Sequence, residues 1–225
     1  MDAVARADAL STYAAETAGC ERCSLAATRN RVVFGSGDPD AELMLVGEAP
    51  GYQEDQGGAW FAGEAGELLE QLLRGIGLAR EDVYVASVLK CRPPQNRDPL
   101  ESEIASCEPH LFRQVELVRP RVVATLGNFA TKLLSGRPHG ITRVHGQEHE
   151  VALGGTTVTL FPLYHPAAAL YTPSMLQALA ADFGRLPALL GRTPPIPVEP
   201  PSRREARVVT EDDVFAVGAT QLGLF

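Results

Sequence analysis

Glu42-Leu43-Met44-Leu45-Val46-Gly47-Glu48-Ala49-Pro50-Gly51 passes from an unbroken apolar segment straight into a rigid turn. Leu43 to Val46 is the short continuous apolar run expected of a parallel strand buried on both faces. Glu54 and Asp55 add two carboxylates after the turn, and Gly57-Gly58 opens a loop that carries Trp60 and Phe61. From Gly63 onward Leu68, Leu69, Leu72 and Leu73 recur at helical spacing. Strand, acidic turn and helix in that order put the turn at the carboxyl end of a strand, where open α/β sheets hold their ligands.

Working outward, Val83 to Leu89, Val122 to Leu126 and Thr157 to Leu163 read as three more buried strands. Helical patterns occupy the Ala-rich segment 2–18, Glu101 to Val118, Asn128 to Leu134 and about Pro173 to Leu190, while 136–155 reads as a loop or hairpin. Strands alternating with helices predict a three-layer α/β/α sandwich around a four-stranded, mainly parallel central sheet. The special turns after Val46, Leu89 and Leu163 then fall on one edge of that sheet, which is the pattern of a single active site. The second of these turns, Cys91-Arg92-Pro93-Pro94-Gln95-Asn96-Arg97-Asp98-Pro99, has three prolines in nine residues and must be an extended loop. The third delivers Tyr164-His165-Pro166.

The 225 residues suffice for one large domain, expected over 1–191. Residues 192–225 change character, with Pro194, Pro195, Pro197, Pro200 and Pro201 followed by charged residues, and read as a linker or disordered tail. A net charge of −8 argues against a nonspecific nucleic-acid coat. Arg92 and Arg97 beside Lys90 form a local basic exception; the 18 Arg against 2 Lys suit bidentate phosphate contacts or reflect genomic base composition. No apolar run is long enough to span a bilayer, and the N-terminus lacks the basic start and apolar core of a signal peptide. A cytoplasmic protein is expected.

In that compartment thiols stay reduced, so the four cysteines are read as ligands or free thiols. Cys20 and Cys23 form a Cys-x2-Cys pair, and Cys91 and Cys107 complete a set of four with none left over. Four thiolates suit a structural zinc or an iron–sulfur cluster equally well.

Taken together, Gly47-Glu48-Ala49-Pro50-Gly51 with Glu54-Asp55, Cys91-Arg92-Pro93-Pro94 with Asn96-Arg97, and His165-Pro166-Ala167-Ala168 resemble the motifs of the family 4 uracil-DNA glycosylases. The resemblance runs from about residue 13 to 190. It implies a monofunctional glycosylase that starts base excision repair on single- or double-stranded uracil-containing DNA, as a monomer, with Cys20, Cys23, Cys91 and Cys107 holding a [4Fe–4S] cluster. It also implies roles for individual side chains. His165 donates a hydrogen bond to the uracil oxygen as the base leaves as an anion, and Glu48, with Glu54 as competitor, stabilises the sugar cation or places the water. Gly47, Ala49, Phe61, Ser87 and Asn96 fall at uracil-binding positions, Phe61 as the ring that stacks on the flipped base. Arg92 and Arg97 point to phosphates, and Leu170 to the wedge inserted into the duplex.

The chain departs from the family pattern at several places. Ser87 stands where the family has an Asn whose amide reads the uracil edge, and a hydroxyl cannot make that bidentate contact. Tyr171 replaces the basic residue after the wedge, and Arg143-Val144-His145-Gly146 lacks the usual Arg-Gly pair. The segment Arg92 to Leu100 holds no histidine, against the relatives that bond covalently to DNA through one in an inserted loop. Ser87 leaves two alternatives open: a glycosylase for another deaminated base such as hypoxanthine or xanthine, or a non-catalytic DNA-binding adaptor. The tail ends in Gln221-Leu222-Gly223-Leu224-Phe225, which resembles the peptides that dock bacterial repair proteins on the replication sliding clamp, with Gln221, Leu222, Leu224 and Phe225 as anchors. The same reading places the protein at the bacterial nucleoid.

Overall fold

The computed structural model describes residues 2–192 apart from Ala59 and Ala62. The expected tail and its clamp-like peptide, Gln221 to Phe225, therefore lie outside the described residues. In chain order the elements are α1 (Ala3–Thr17), β1 (Ser36–Gly37), β2 (Leu43–Gly47), α2 (Tyr52–Gly57), α3 (Glu64–Gly75), β3 (Tyr84–Ser87) and α4 (Glu101–Val118). There follow β4 (Val122–Leu126), α5 (Asn128–Ser135), α6 (Ile141–Val144), β5 (His149–Leu153), β6 (Thr156–Leu163), α7 (Pro166–Ala169), α8 (Pro173–Phe183) and α9 (Leu186–Leu189).

These strands form one sheet in the order β1-β3-β2-β4-β6-β5. The four central strands are mutually parallel, with Leu45 opposite both Val85 and Ala124, and Ala124 opposite Phe161. Two antiparallel edge strands, β1 and β5, extend the expected four to six. Both edges are short or one-sided: β1 is two residues long, and β5 alternates between partly buried and exposed positions before Leu153. Period-2 alternation sends Leu43 and Leu45 to one face of the sheet and Met44 and Val46 to the other. Leu43 and Leu45 pack with Leu69, Leu73, Phe183 and Leu186 from α3, α8 and α9. Met44 and Val46 pack with Leu10, Leu111, Val115 and Leu134 from α1, α4 and α5. Two fully desolvated layers of this kind make the three-layer sandwich.

The last expected helix is divided, α8 ending at Phe183 and α9 beginning at Leu186. An additional helix, α2, occupies part of the acidic turn. Gly51 is its N-cap, and Glu54 reaches back to accept from the Gly51 N–H at 3.1 Å. That one-sided cap, the N3 carboxylate on the N-cap N–H, supplies a helix start that the glycines conceal. Asp55, buried in the same helix, accepts from the Asn30 backbone N–H at 2.9 Å and from the Asn30 side chain, tying α2 to the segment after Cys23.

Candidate active site

All four parallel strands end on the same edge, and their following turns are stitched to one another. Val88 and Leu89 donate to Gly47 O and Glu48 O at 3.0 and 2.9 Å, and Gly127 donates to Leu163 O at 2.9 Å. Between the turns lies a cavity of about 490 Å³. Its walls are Gly47–Gly51 after β2, Trp60, Pro93 and Asn96–Asp98 of the proline-rich loop, Leu126–Phe129 after β4, and His165 after β6.

His165 is the N-cap of α7, and its Nδ1 accepts from the Ala167 N–H at 3.1 Å. That bond fixes the neutral tautomer: Nδ1 carries no hydrogen, so Nε2 does. Burial pushes the pKa of His165 down to about 4, which keeps the ring neutral at physiological pH. Pro166 at the first helical position sets the chain direction here, since its fixed φ suits a helix start. Gly127, at φ +90°, lies so near that a Cβ there would come within 3.3 Å of the His165 Cβ. The ring of Phe61 stacks on His165, centroids 5.8 Å apart and planes 27° apart. Phe61 itself sits at φ +58°, a left-handed conformation costly for an aromatic residue. Gly66 of α3 accommodates it, because a Cβ at 66 would fall 1.8 Å from the Phe61 carbonyl oxygen.

Glu48 lines the same cavity half-buried. Desolvation first, and the nearby Asp98 second, raise its carboxyl above the usual range. A neutral N–H donor and a reluctant carboxylate thus share one concave space at the carboxyl ends of the strands, as the strand-end reading anticipated for His165 and Glu48. Gly47, Ala49 and Asn96 border it too.

Other expected site residues are placed differently. Glu54 caps α2 and is absent from the cavity wall. Ser87 is fully buried, and its hydroxyl donates to Leu89 O. Arg97 borders the cavity but its guanidinium grips Glu103 with two bonds of 2.9 and 2.6 Å. Glu103, buried, also accepts from Ser24 and from the Leu100 N–H, and the Arg97 partnership holds its pKa down to about 2. Arg92 donates to Asn96 Oδ1 at 2.7 Å and lies 5.1 Å over the exposed Tyr52 ring. Leu170 is partly buried against the main core, while its neighbour Tyr171 is 83% exposed. Trp60 and Asn128 also line the cavity, positions the sequence reading did not assign to the site. A Gly-Asn pair directly after an apolar strand was the available signal for Asn128.

At the other end of the proline-rich loop the four cysteines gather. Cys91 and Cys107 are buried with Leu25 and Leu89, and Cys23 packs against them. Cys20 Sγ meets His110 Nε2 at 3.4 Å. The Lys90 N–H donates to Cys107 Sγ at 3.2 Å, and Arg29 Nη1 reaches Cys91 Sγ at 3.8 Å. Burial pushes the Cys91 thiol up to about 12 and raises Cys107, with Cys23 acting on both and Cys20 on Cys107. Lys90 is wholly buried beside them, its ammonium bonded to Ser87 O at 2.7 Å and to Gln114, and burial lowers its pKa to about 7. Among the described residues, no three His, Cys, Asp or Glu side chains close around a single metal ion.

Residues 34–184 match the uracil DNA glycosylase superfamily model. A type-4 uracil-DNA glycosylase of Sulfurisphaera tokodaii is 42% identical over 184 residues, covering 80% of this chain and 84% of that protein. The chain belongs to the type-4 uracil-DNA glycosylase family. Further type-4 members, from Archaeoglobus fulgidus and Thermotoga maritima, are 42% identical over 192 residues and 43% over 149. The former match covers 84% of this chain and 96% of the relative, the latter 66% and 76%. The family resemblance read from the three strand-end motifs is thereby borne out, as is the α/β/α fold it implied. No helix among the described residues is long and apolar enough to cross a membrane.

Proposed function

We propose that the chain is a monofunctional uracil-DNA glycosylase that hydrolyses the bond between uracil and deoxyribose in DNA and so starts base excision repair. The observation that carries this reading is the neutral His165, its Nε2–H unbonded among the described residues, in a cavity shared with Glu48. The target nucleotide leaves the base stack to enter the cavity. As the glycosidic bond breaks, its electron pair goes to the uracil, whose oxygen accepts from His165 Nε2–H. A neutral donor stabilises that anion without surrendering its proton. The sugar becomes cationic beside the Glu48 carboxylate, which orients water onto the anomeric carbon and takes its proton. The products are free uracil and an abasic site. Phe61 supports the His165 ring, and Arg92 faces the DNA backbone.

Cys20, Cys23, Cys91 and Cys107 would hold a [4Fe–4S] cluster. The donor set fits: four sulfurs without surplus, two N–H···S contacts, and the buried Lys90 to balance negative charge. A bound cluster supplies a staple between the start of the proline-rich loop and the chain after α1. Residues 1–191 form the catalytic domain of a cytoplasmic monomer, and the tail tethers it to the sliding clamp through Gln221 to Phe225.

The test is strand scission by alkali after incubating the protein with an oligonucleotide holding one uracil, with His165→Ala and Glu48→Ala alongside. Cleavage by the parent and its loss in His165→Ala support the reading. An inactive parent with its visible cluster absorption intact defeats it and turns attention to hypoxanthine and xanthine, the alternative that the withdrawn Ser87 hydroxyl favours. Deleting residues 221–225 should abolish clamp binding and leave excision unchanged; unaltered clamp affinity overturns the tether.

A further inference from the structure

We propose that Asn128 is the residue that selects a base carbonyl in the cavity, the task for which Ser87 is unavailable. The inference rests on the glycosylase reading and deepens it. Ser87 has 0% exposure, and its hydroxyl is spent on Leu89 O, so it presents nothing to a bound base. Asn128 is the first residue of α5 and follows Gly127 directly, which brings it beside His165 on the cavity wall. Its Oδ1 accepts from the Ile141 N–H at 3.1 Å. A backbone N–H can only donate, so this bond fixes which end of the amide is oxygen.

The consequence is chemical. With its oxygen turned to the Ile141 N–H, the Asn128 amide keeps both Nδ2 hydrogens for a cavity ligand, and among the described residues neither is bonded. An Nδ2 donor held by this orientation favours a ring carbonyl, as at position 4 of uracil, and meets the amino group of cytosine donor to donor. Discrimination of this kind is strong because the wrong base leaves a polar group unpaired. Asn96, the other amide at the cavity, is a weaker selector. It stands on the proline-rich loop, and its oxygen is held by the side chain of Arg92 instead of by backbone.

The experiment compares kcat/KM for uracil and for cytosine in otherwise identical single-stranded oligonucleotides, using the full-length protein. Asn128→Asp keeps an acceptor for the Ile141 N–H but turns an oxygen toward the base. Excision of uracil should fall about 10- to 100-fold, the effect of one lost or reversed hydrogen bond, and the uracil-to-cytosine ratio should fall with it. Asn128→Ala should lower the uracil rate by a similar factor, and an unchanged melting temperature in either variant assigns the loss to recognition. Ser87→Ala should leave the ratio within about twofold of the parent, and Asn96→Ala should lower it less than Asn128→Ala does. A ratio unchanged in Asn128→Asp, or one that collapses in Asn96→Ala or Ser87→Ala instead, overturns the assignment. An inactive parent would defeat the glycosylase reading itself, so the two failures are distinct.

Discussion

The cavity edge and the cysteine corner are built at the two ends of one proline-rich loop, by opposite physical means. At the edge, backbone hydrogen bonds between successive strand turns fix the positions of Glu48, Gly127 and His165 before any ligand arrives. In the corner, Cys23, Cys91 and Cys107 are packed among Leu25, Leu89 and Ile104, and burial drives Cys91 and Cys107 away from ionisation. Apolar surroundings make thiolates costly unless something cationic takes them. The edge is preorganised chemistry, whereas the corner is a socket whose ionised form depends on its contents. The most direct way to separate them is His165→Ala, which removes the proposed Nε2–H donor to the departing base. Excision should drop about 10²- to 10³-fold in a single-turnover assay, with melting temperature and visible absorption unchanged.

Breaking the corner should give the reverse pattern. Cys91→Ala and Cys107→Ala each empty one position of the socket and leave the cavity residues untouched. The visible absorption should vanish, and the melting temperature should fall by roughly 5–10 °C, the signature of about 2–3 kcal/mol in a chain of this size. Excision measured well below that temperature should fall only a few-fold, through loosening of Pro93 and Asn96–Asp98 at the cavity wall. A variant that loses activity as completely as His165→Ala while remaining folded would mean that the corner takes part in the chemistry.

The same contrast explains what the sequence made legible. The four parallel strands announced themselves because burial on both faces demands unbroken apolar runs, and the turns that carry Glu48 and His165 followed from where those runs stop. The edge strands did not: Ser36-Gly37 has no room for a pattern, and His149 to Leu153 is apolar on one side only. Glu54 beside Asp55 looked like a catalytic carboxylate because local sequence cannot distinguish a helix cap from a site group when the capped residue is a glycine. Ser87 and Arg97 were legible as positions and not as partners. Whether a hydroxyl faces a ligand or Leu89 O, and whether a guanidinium faces phosphate or Glu103, is decided by tertiary contacts. The cysteines were readable as a set because a Cys-x2-Cys pair and two further cysteines leave none over.

Titration should sharpen the edge further. In the proposed mechanism Glu48 is ionised to support the sugar cation, and its pKa is raised, so the rate should fall with acid above the ordinary carboxylate range. His165 stays neutral until about pH 4. The acid limb of the wild-type profile therefore belongs to Glu48. In Glu48→Gln, slower by about tenfold or more, the limb should retreat toward pH 4, where protonation of Nδ1 displaces the Ala167 N–H. Stability follows the same histidine with a definite sign. Unfolded His165 takes its proton near 6.5 and the folded one near 4, so acid favours the unfolded chain progressively between those values. In His165→Gln that part of the pH dependence should be absent from urea midpoints; a wild-type limb near 6.5 would mean that the imidazole is not held neutral.

The smallest effect divides the two arginines of the loop. Arg97 is committed to Glu103, which is buried and has Ser24 and Leu100 as its other donors. Arg97→Gln should therefore appear as a lower urea midpoint, since it leaves a buried carboxylate short of its partner, and should alter DNA affinity little. Among the described residues Arg92 is bonded only to Asn96 and stacked on Tyr52, contacts it can exchange for a phosphate oxygen without exposing any buried charge. Arg92→Gln should weaken binding to uracil-free DNA a few-fold and reduce the slope of log affinity against log salt by about 1, with the urea midpoint unmoved. If Arg97→Gln instead takes the salt slope and Arg92→Gln the stability, then DNA binding breaks the Glu103 pair. The loop would in that case be rearranged by its substrate, and the preorganisation ascribed to the cavity edge would stop at the strand ends.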